Sequence, residues 1–143
     1  MDKDNAYLKQ TLNLAYDAIK KKNYVKGKTL LEKVISINSQ IPEVYNDLGL
    51  LNFNIGEVEI AIKHFEKAIE IKDDFSLAYN NLGNALRKKK DFEAAIQIYQ
   101  KGINTDKKNA HAYYNLGTLY FEKNEIKDAE NYLTLAVKIS PNL

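Results

Sequence analysis

Residues 45–49 read YNDLG, residues 79–83 YNNLG and residues 113–117 YYNLG, each copy 34 residues after the last. Three copies in register decide the fold, because self-similarity at a fixed period of this length marks a chain built from one repeated supersecondary unit. Tyr45, Leu48, Gly49 and Asn52 fall at i, i+3, i+4 and i+7, one face of a helix. Further along each copy stand Ala61, Ala95 and Ala129, then Phe65, Tyr99 and Leu133, then Ala68, Gly102 and Ala136, all at the same displacement. These columns define a second amphipathic helix per repeat.

Every column holds one size class, and each has a packing reason. Gly49, Gly83 and Gly117, with Ala61, Ala95 and Ala129, let two helices approach closely, while Phe65, Tyr99 and Leu133 fill the space beside that contact. Between the helices, Gly56 and Asn124 suit a left-handed helix ending, and Glu57, Asp91 and Glu125 bring negative charge to the next helix N-terminus. The turn is short, so the paired helices run antiparallel.

Counting back by one period places an earlier copy on residues 8–41, with Leu14, Ala15, Gly27, Leu31 and Val34 in the matching columns and Thr11 in place of the aromatic. This is a degenerate first repeat, as expected of a terminal unit. The repeats are then 8–41, 42–75, 76–109 and 110–143, one array, with residues 1–7 extending the first helix or remaining loose.

The columns resemble the tetratricopeptide repeat pattern of aromatic, Leu-Gly, aromatic, Ala, aromatic, Ala and Pro over nearly the whole chain. Departures are Asn52 and Leu86, where the pattern has an aromatic and Tyr120 agrees, and Asp73 and Lys107, where Pro141 supplies the expected Pro. The resemblance implies an all-α, right-handed α-solenoid superhelix of four helix–turn–helix repeats, eight antiparallel helices in all. It also implies a protein–protein interaction scaffold whose first helices line a concave groove that receives a peptide or a partner's helix. It brings no catalytic chemistry.

Groove positions are those on the first helices that packing does not use. One column runs Asn13, Asp47, Asn81, Asn115; a second Leu12, Asn46, Asn80, Tyr114; a third Tyr16, Leu50, Asn84, Thr118; a fourth Lys9, Glu43, Leu77, His111. Asn carries both donors and an acceptor, so the first column offers hydrogen bonds to the backbone of an extended peptide. The peptide-binding candidates are accordingly Asn13, Tyr16, Asn46, Asp47, Asn80, Asn81, Asn84, Tyr114 and Asn115. Exposed aromatics contribute most at protein interfaces, which adds Phe53 and Phe121 to Tyr16 and Tyr114 as candidate anchors. A second family mode clamps the terminal carboxylates of chaperone tails with Lys, Arg and Asn. The equivalent residues are Leu12, Tyr16, Asp47, Leu77 and Asn81, or Asn46, Leu50, Asn81, His111 and Asn115; Asn81 alone fits, which argues against such tails as partners.

Composition narrows the remaining classes. The chain has 143 residues, 45% hydrophobic and 28% charged, enough for one core. It has no cysteine, so disulfides, thiol catalysis and the usual zinc sites are excluded, and a cytoplasmic location is the expectation. The N-terminal residues resemble no signal peptide, and no stretch is apolar enough to span a membrane. With 21 basic and 19 acidic side chains there is no electrostatic footprint for nucleic acid. The runs Lys20–Lys22 and Arg87–Lys90 end first helices, where cations suit the helix dipole, and Asn54 and Glu122 interrupt any continuous basic edge. His64 and His111 read as separate surface residues without metal-ligand spacing. No phosphate loop, nucleophile motif or base–nucleophile pair is present, so the chain reads as a non-enzyme without cofactor or metal. Two alternatives accompany the docking scaffold. The apolar residues Leu133, Leu135 and Val137 of the last helix form an edge through which copies self-associate, or the repeats recruit substrates for a longer enzyme.

Overall fold

The computed structural model describes residues 3–143 and consists, among these, of helices and turns only. The helices are α1 (Lys3–Lys20), α2 (Tyr24–Ile37), α3 (Pro42–Asn54), α4 (Val58–Ile71), α5 (Ser76–Lys88), α6 (Phe92–Thr105), α7 (Ala110–Glu122) and α8 (Ile126–Ile139). The fold is an all-α repeat. Residues 3–7 extend α1, while Met1 and Asp2 lie outside the described residues.

The chain divides after Ile71 into two units. In unit one α1 packs on α2, α2 on α3 and α3 on α4; in unit two α5 packs on α6, α6 on α7, α7 on α8 and α5 also on α7. The core of unit one gathers Ala15, Leu31, Val34, Val44, Leu48 and Leu51. In unit two, Ala95, Ile96, Tyr99, Leu116 and Leu119 form a cluster flanked by Phe92, Ile103, Tyr120 and Tyr132.

Close approach within the pairs α3–α4, α5–α6 and α7–α8 rests on the small-against-large contact. A Cβ added to Gly49 would lie 2.4 Å from the Phe65 ring, one on Gly83 2.3 Å from the Tyr99 ring, and one on Gly117 2.8 Å from Leu133 Cγ. These glycines are required because the facing side chain occupies the place of a methyl group.

All four intra-pair turns use one device. Lys22, Gly56, Lys90 and Asn124 have φ of 62°, 85°, 65° and 61°, and they stand 34 residues apart. In each, the following amide donates back into the helix just ended: Asn23 to the Ala18 carbonyl, Glu57 to Asn52, Asp91 to Leu86 and Glu125 to Tyr120, all at 2.8–3.0 Å. This is the six-to-one closure of a left-handed helix cap. The sequence signal was visible only at Gly56 and Asn124, since lysine seldom marks this conformation.

The next helix is then capped where a suitable side chain is present. Asn23 accepts from the Lys26 amide and Asp91 from the Ala94 amide, whereas Glu125 makes no such bond. At the second turn the fully buried Asn52, standing where Tyr120 stands in the last repeat, donates from Nδ2 to Glu57 Oε2, so its amide ties α3 to the start of α4.

Candidate functional site

In unit one the candidates sit on α1 and α3. Asn13 is exposed, and its side chain makes no hydrogen bond with any described residue. The Tyr16 hydroxyl donates to Asp47 Oδ2 at 2.7 Å across the 31 residues that separate them, tying α1 to α3. Burial pushes the Asp47 carboxyl above the usual range. Hydrogen bonds from Tyr16 and Asn46 act the other way, and the neighbouring Glu43 pushes it up further. The Tyr16 phenol is likewise raised, by burial first and then by Asp47. Asn46 is 2% exposed, an internal polar group although Tyr114 of the same column is open.

In unit two, Asn80 is also buried, at 5% exposure. Its Nδ2 donates to Asn109 Oδ1 at 3.3 Å, and Asn109 in turn caps α7 by accepting from the Ala112 amide. The expectation that Asn46 and Asn80 line an open surface is therefore corrected: both are internal polar groups, and Asn80 steadies the start of α7. Asn84 is half-buried, and its Oδ1 accepts from the Tyr99 hydroxyl at 2.6 Å, so it satisfies a core tyrosine whose phenol burial raises. Asn81 and Asn115 are half-buried and Tyr114 is exposed; neither Asn115 nor Tyr114 spends its side chain on another described residue. The candidates thus separate by physical role. Asn13, Tyr114 and Asn115 keep unspent side chains, Tyr16 and Asp47 hold one another, and Asn46, Asn80 and Asn84 serve the helical packing.

Other expectations shift. His64 is half-buried with its ring centroid 6.1 Å from that of Tyr45, and burial lowers its pKa. It is a packing residue rather than a surface one. Phe121, offered as a groove anchor, lines a depression of about 570 Å³ with Ile126, Ala129, Leu133 and Val137. Leu135 lies apart from that stripe, beside Lys127, Asn131 and Lys138, so the expected edge of Leu133, Leu135 and Val137 is two surfaces. The apolar stripe of α8 was legible only by comparing Ile126, Leu133 and Val137 with Phe92, Tyr99 and Ile103 one period earlier. The described residues include no group of three metal-ligating side chains and no helix long and apolar enough to cross a membrane.

Helix pairs at a 34-residue period, glycines against large side chains and recurrent left-handed turns define a repeat scaffold. Family models bear this out: two described as tetratricopeptide repeat match residues 42–75 and 110–143, and 64–97, and one described as TPR repeat matches 83–124. The chain belongs to the tetratricopeptide repeat family. Among solved structures it is similar to MamA at 25% identity with a TM-score of 0.86, over 94% of this chain and 78% of that one. It is also similar to Cut9 in the APC/C Cut9–Hcn1 hetero-tetramer, at 25% identity and a TM-score of 0.82, over 93% of this chain and 27% of that one. YrrB, described as a TPR protein with an unusual peptide-binding site, shares the fold at 21% identity and a TM-score of 0.79, over 90% of this chain and 66% of that one. No curated protein sequence matches significantly.

Proposed function

We propose that the chain is a protein-docking scaffold that holds an extended peptide segment against the first helices of its repeats. The observation that carries this reading is the column Asn13, Asp47, Asn81, Asn115, which recurs at one helical register on the first helices. In unit one the strip combines the open amide of Asn13 with an Asp47 carboxylate oriented by Tyr16. In unit two the unspent amide of Asn115 stands next to the exposed ring of Tyr114. An amide meets both the N–H and the C=O of a peptide, so such strips favour backbone recognition that tolerates varied sequence, with Tyr114 as an apolar contact.

The test is selection of binders from a random peptide library, followed by affinity measurement on Asn13→Ala, Asn115→Ala and Tyr114→Ala variants. At least one selected peptide binds about fivefold or more weakly, as expected when an interface is deprived of one hydrogen bond or one aromatic ring, while helical content is unchanged. Affinities indifferent to all three substitutions would overturn the reading.

A further inference from the structure

Helix α3 differs in charge from the other first helices. It carries Glu43 and Asp47 and no Lys or Arg, whereas α5 carries Arg87 and Lys88 and no acid. In the column Asn13, Asp47, Asn81, Asn115 it replaces an amide by a carboxylate. Glu43 stands about one helical turn before Asp47, so both fall on one side of α3. The Tyr16 hydroxyl donates to Asp47 Oδ2 at 2.7 Å, and the Asn46 side chain also bonds this carboxylate. A carboxylate offers about four acceptor positions, so open lone pairs remain. Neither acid forms an ion pair with a described residue. The charge that acts on Asp47 is that of Glu43, which repels, and no cation of the chain offsets it. Beside the carboxylate lies an open aromatic surface: Tyr16 is 40% exposed, and its hydroxyl contact sets its ring at the border of the same spot.

A peptide lying along the first helices of unit one covers Asp47. Covering a half-buried carboxylate strips away its remaining water, which is unfavourable unless a cation takes the water's place. The chain supplies none there, so the ligand has to. Arg suits the spot better than Lys, because its planar group donates in pairs to a carboxylate and stacks on an aromatic ring. Resting on the docking reading above, we propose that the peptide held by unit one is basic, with an Arg side chain seated against the Tyr16 ring and paired with Asp47. Glu43 adds its field to the same preference. Asp47 is thus the residue that gives unit one a choice of side chain, where an amide in its place would meet backbone alone.

The probe is a random decapeptide library selected in parallel on the parent chain and on an Asp47→Asn chain, which restores the amide of the column and keeps the fold. Peptides enriched on the parent carry Arg at one position. Replacing that Arg by citrulline, its uncharged near-isostere, weakens binding to the parent about tenfold, between the effect of an exposed and a buried ion pair. On the Asp47→Asn chain the same replacement weakens binding by less than about twofold. A Glu43→Gln chain, altered at an exposed position, shows a citrulline effect reduced to about fivefold or less. Peptides that bind both chains with no enrichment of Arg, or a citrulline effect as large on Asp47→Asn as on the parent, overturn this proposal and leave backbone docking standing. Enrichment of no peptide on either chain overturns the docking reading and the proposal with it.

Discussion

Replacing Gly83 by Ala in mid-helix would ordinarily gain about 1 kcal/mol of helix propensity. Here the added methyl carbon would lie 2.3, 2.6 and 2.8 Å from three atoms of the Tyr99 ring. Ordinary carbon contacts lie at about 3.5–4.0 Å, so the ring must move by more than an ångström or the helices must part. Tyr99 has no room to do so: it is fully buried, and its hydroxyl is held by Asn84 Oδ1 at 2.6 Å. Overpacking at such a site costs about 3 kcal/mol, leaving a net loss of about 2 kcal/mol after the propensity gain. The first repeat shows the relief, because there Ala15 and Leu31 occupy the two columns and both are fully buried. Gly83→Ala introduced into a Tyr99→Leu background should therefore cost little or nothing, a coupling of at least about 1.5 kcal/mol between the two positions. Urea unfolding of the parent, both single variants and the double variant, followed by circular dichroism, measures the cycle. Additivity within about 0.5 kcal/mol would refute the small-against-large account.

The turns and the buried ionisable groups lead to further outcomes. Lys90→Gly should stabilise by about 1 kcal/mol, since Lys90 occupies a left-handed conformation at φ 65°, while Gly56→Ala should cost about 1–2 kcal/mol from backbone strain alone, nothing lying within 4 Å of the new methyl; urea midpoints report both. Asp91→Ala removes the side-chain cap on the Ala94 amide and should cost about 1 kcal/mol by the same assay. The raised carboxyl of Asp47 favours folding below its unfolded pKa, and that contribution is lost as pH rises through the folded value; Asp47→Asn should thus be more stable than the parent at pH 7, with the advantage gone near pH 3, in paired thermal melts. His64 has the opposite sign. Its pKa is lowered from 6.5 by burial, so its contribution is present above that value and lost as pH falls; a His64→Gln chain should lack this acid-side decline.

The fold was legible because periodicity repeats the same packing decision. The pairing of Gly49 with Phe65 and Gly83 with Tyr99 follows from the columns, and a Cβ at either glycine would collide with that partner. The turns were half legible: Gly56 and Asn124 declare a positive φ, whereas Lys22 and Lys90 adopt it because the surrounding helix closure imposes it. The surface columns were harder to read. Asn46, Asn80 and Asn84 share helix faces with open positions, but which amide is spent inside depends on neighbours such as Asp47, Asn109 and Tyr99. Leu135 was placed on the wrong surface for a simpler reason. Two residues advance a helix by about 200°, so it cannot share a stripe with Leu133 and Val137.

The most direct test of peptide docking on the first helices is the side-chain amide spectrum of the asparagines during titration with a selected peptide. The account predicts that the Nδ2 resonances of Asn13 or Asn115 shift in saturable fashion, while those of the exposed Asn104 and Asn131 on second helices stay in place. Shifts confined to Asn104 and Asn131, with Asn13 and Asn115 unmoved at saturation, would contradict it.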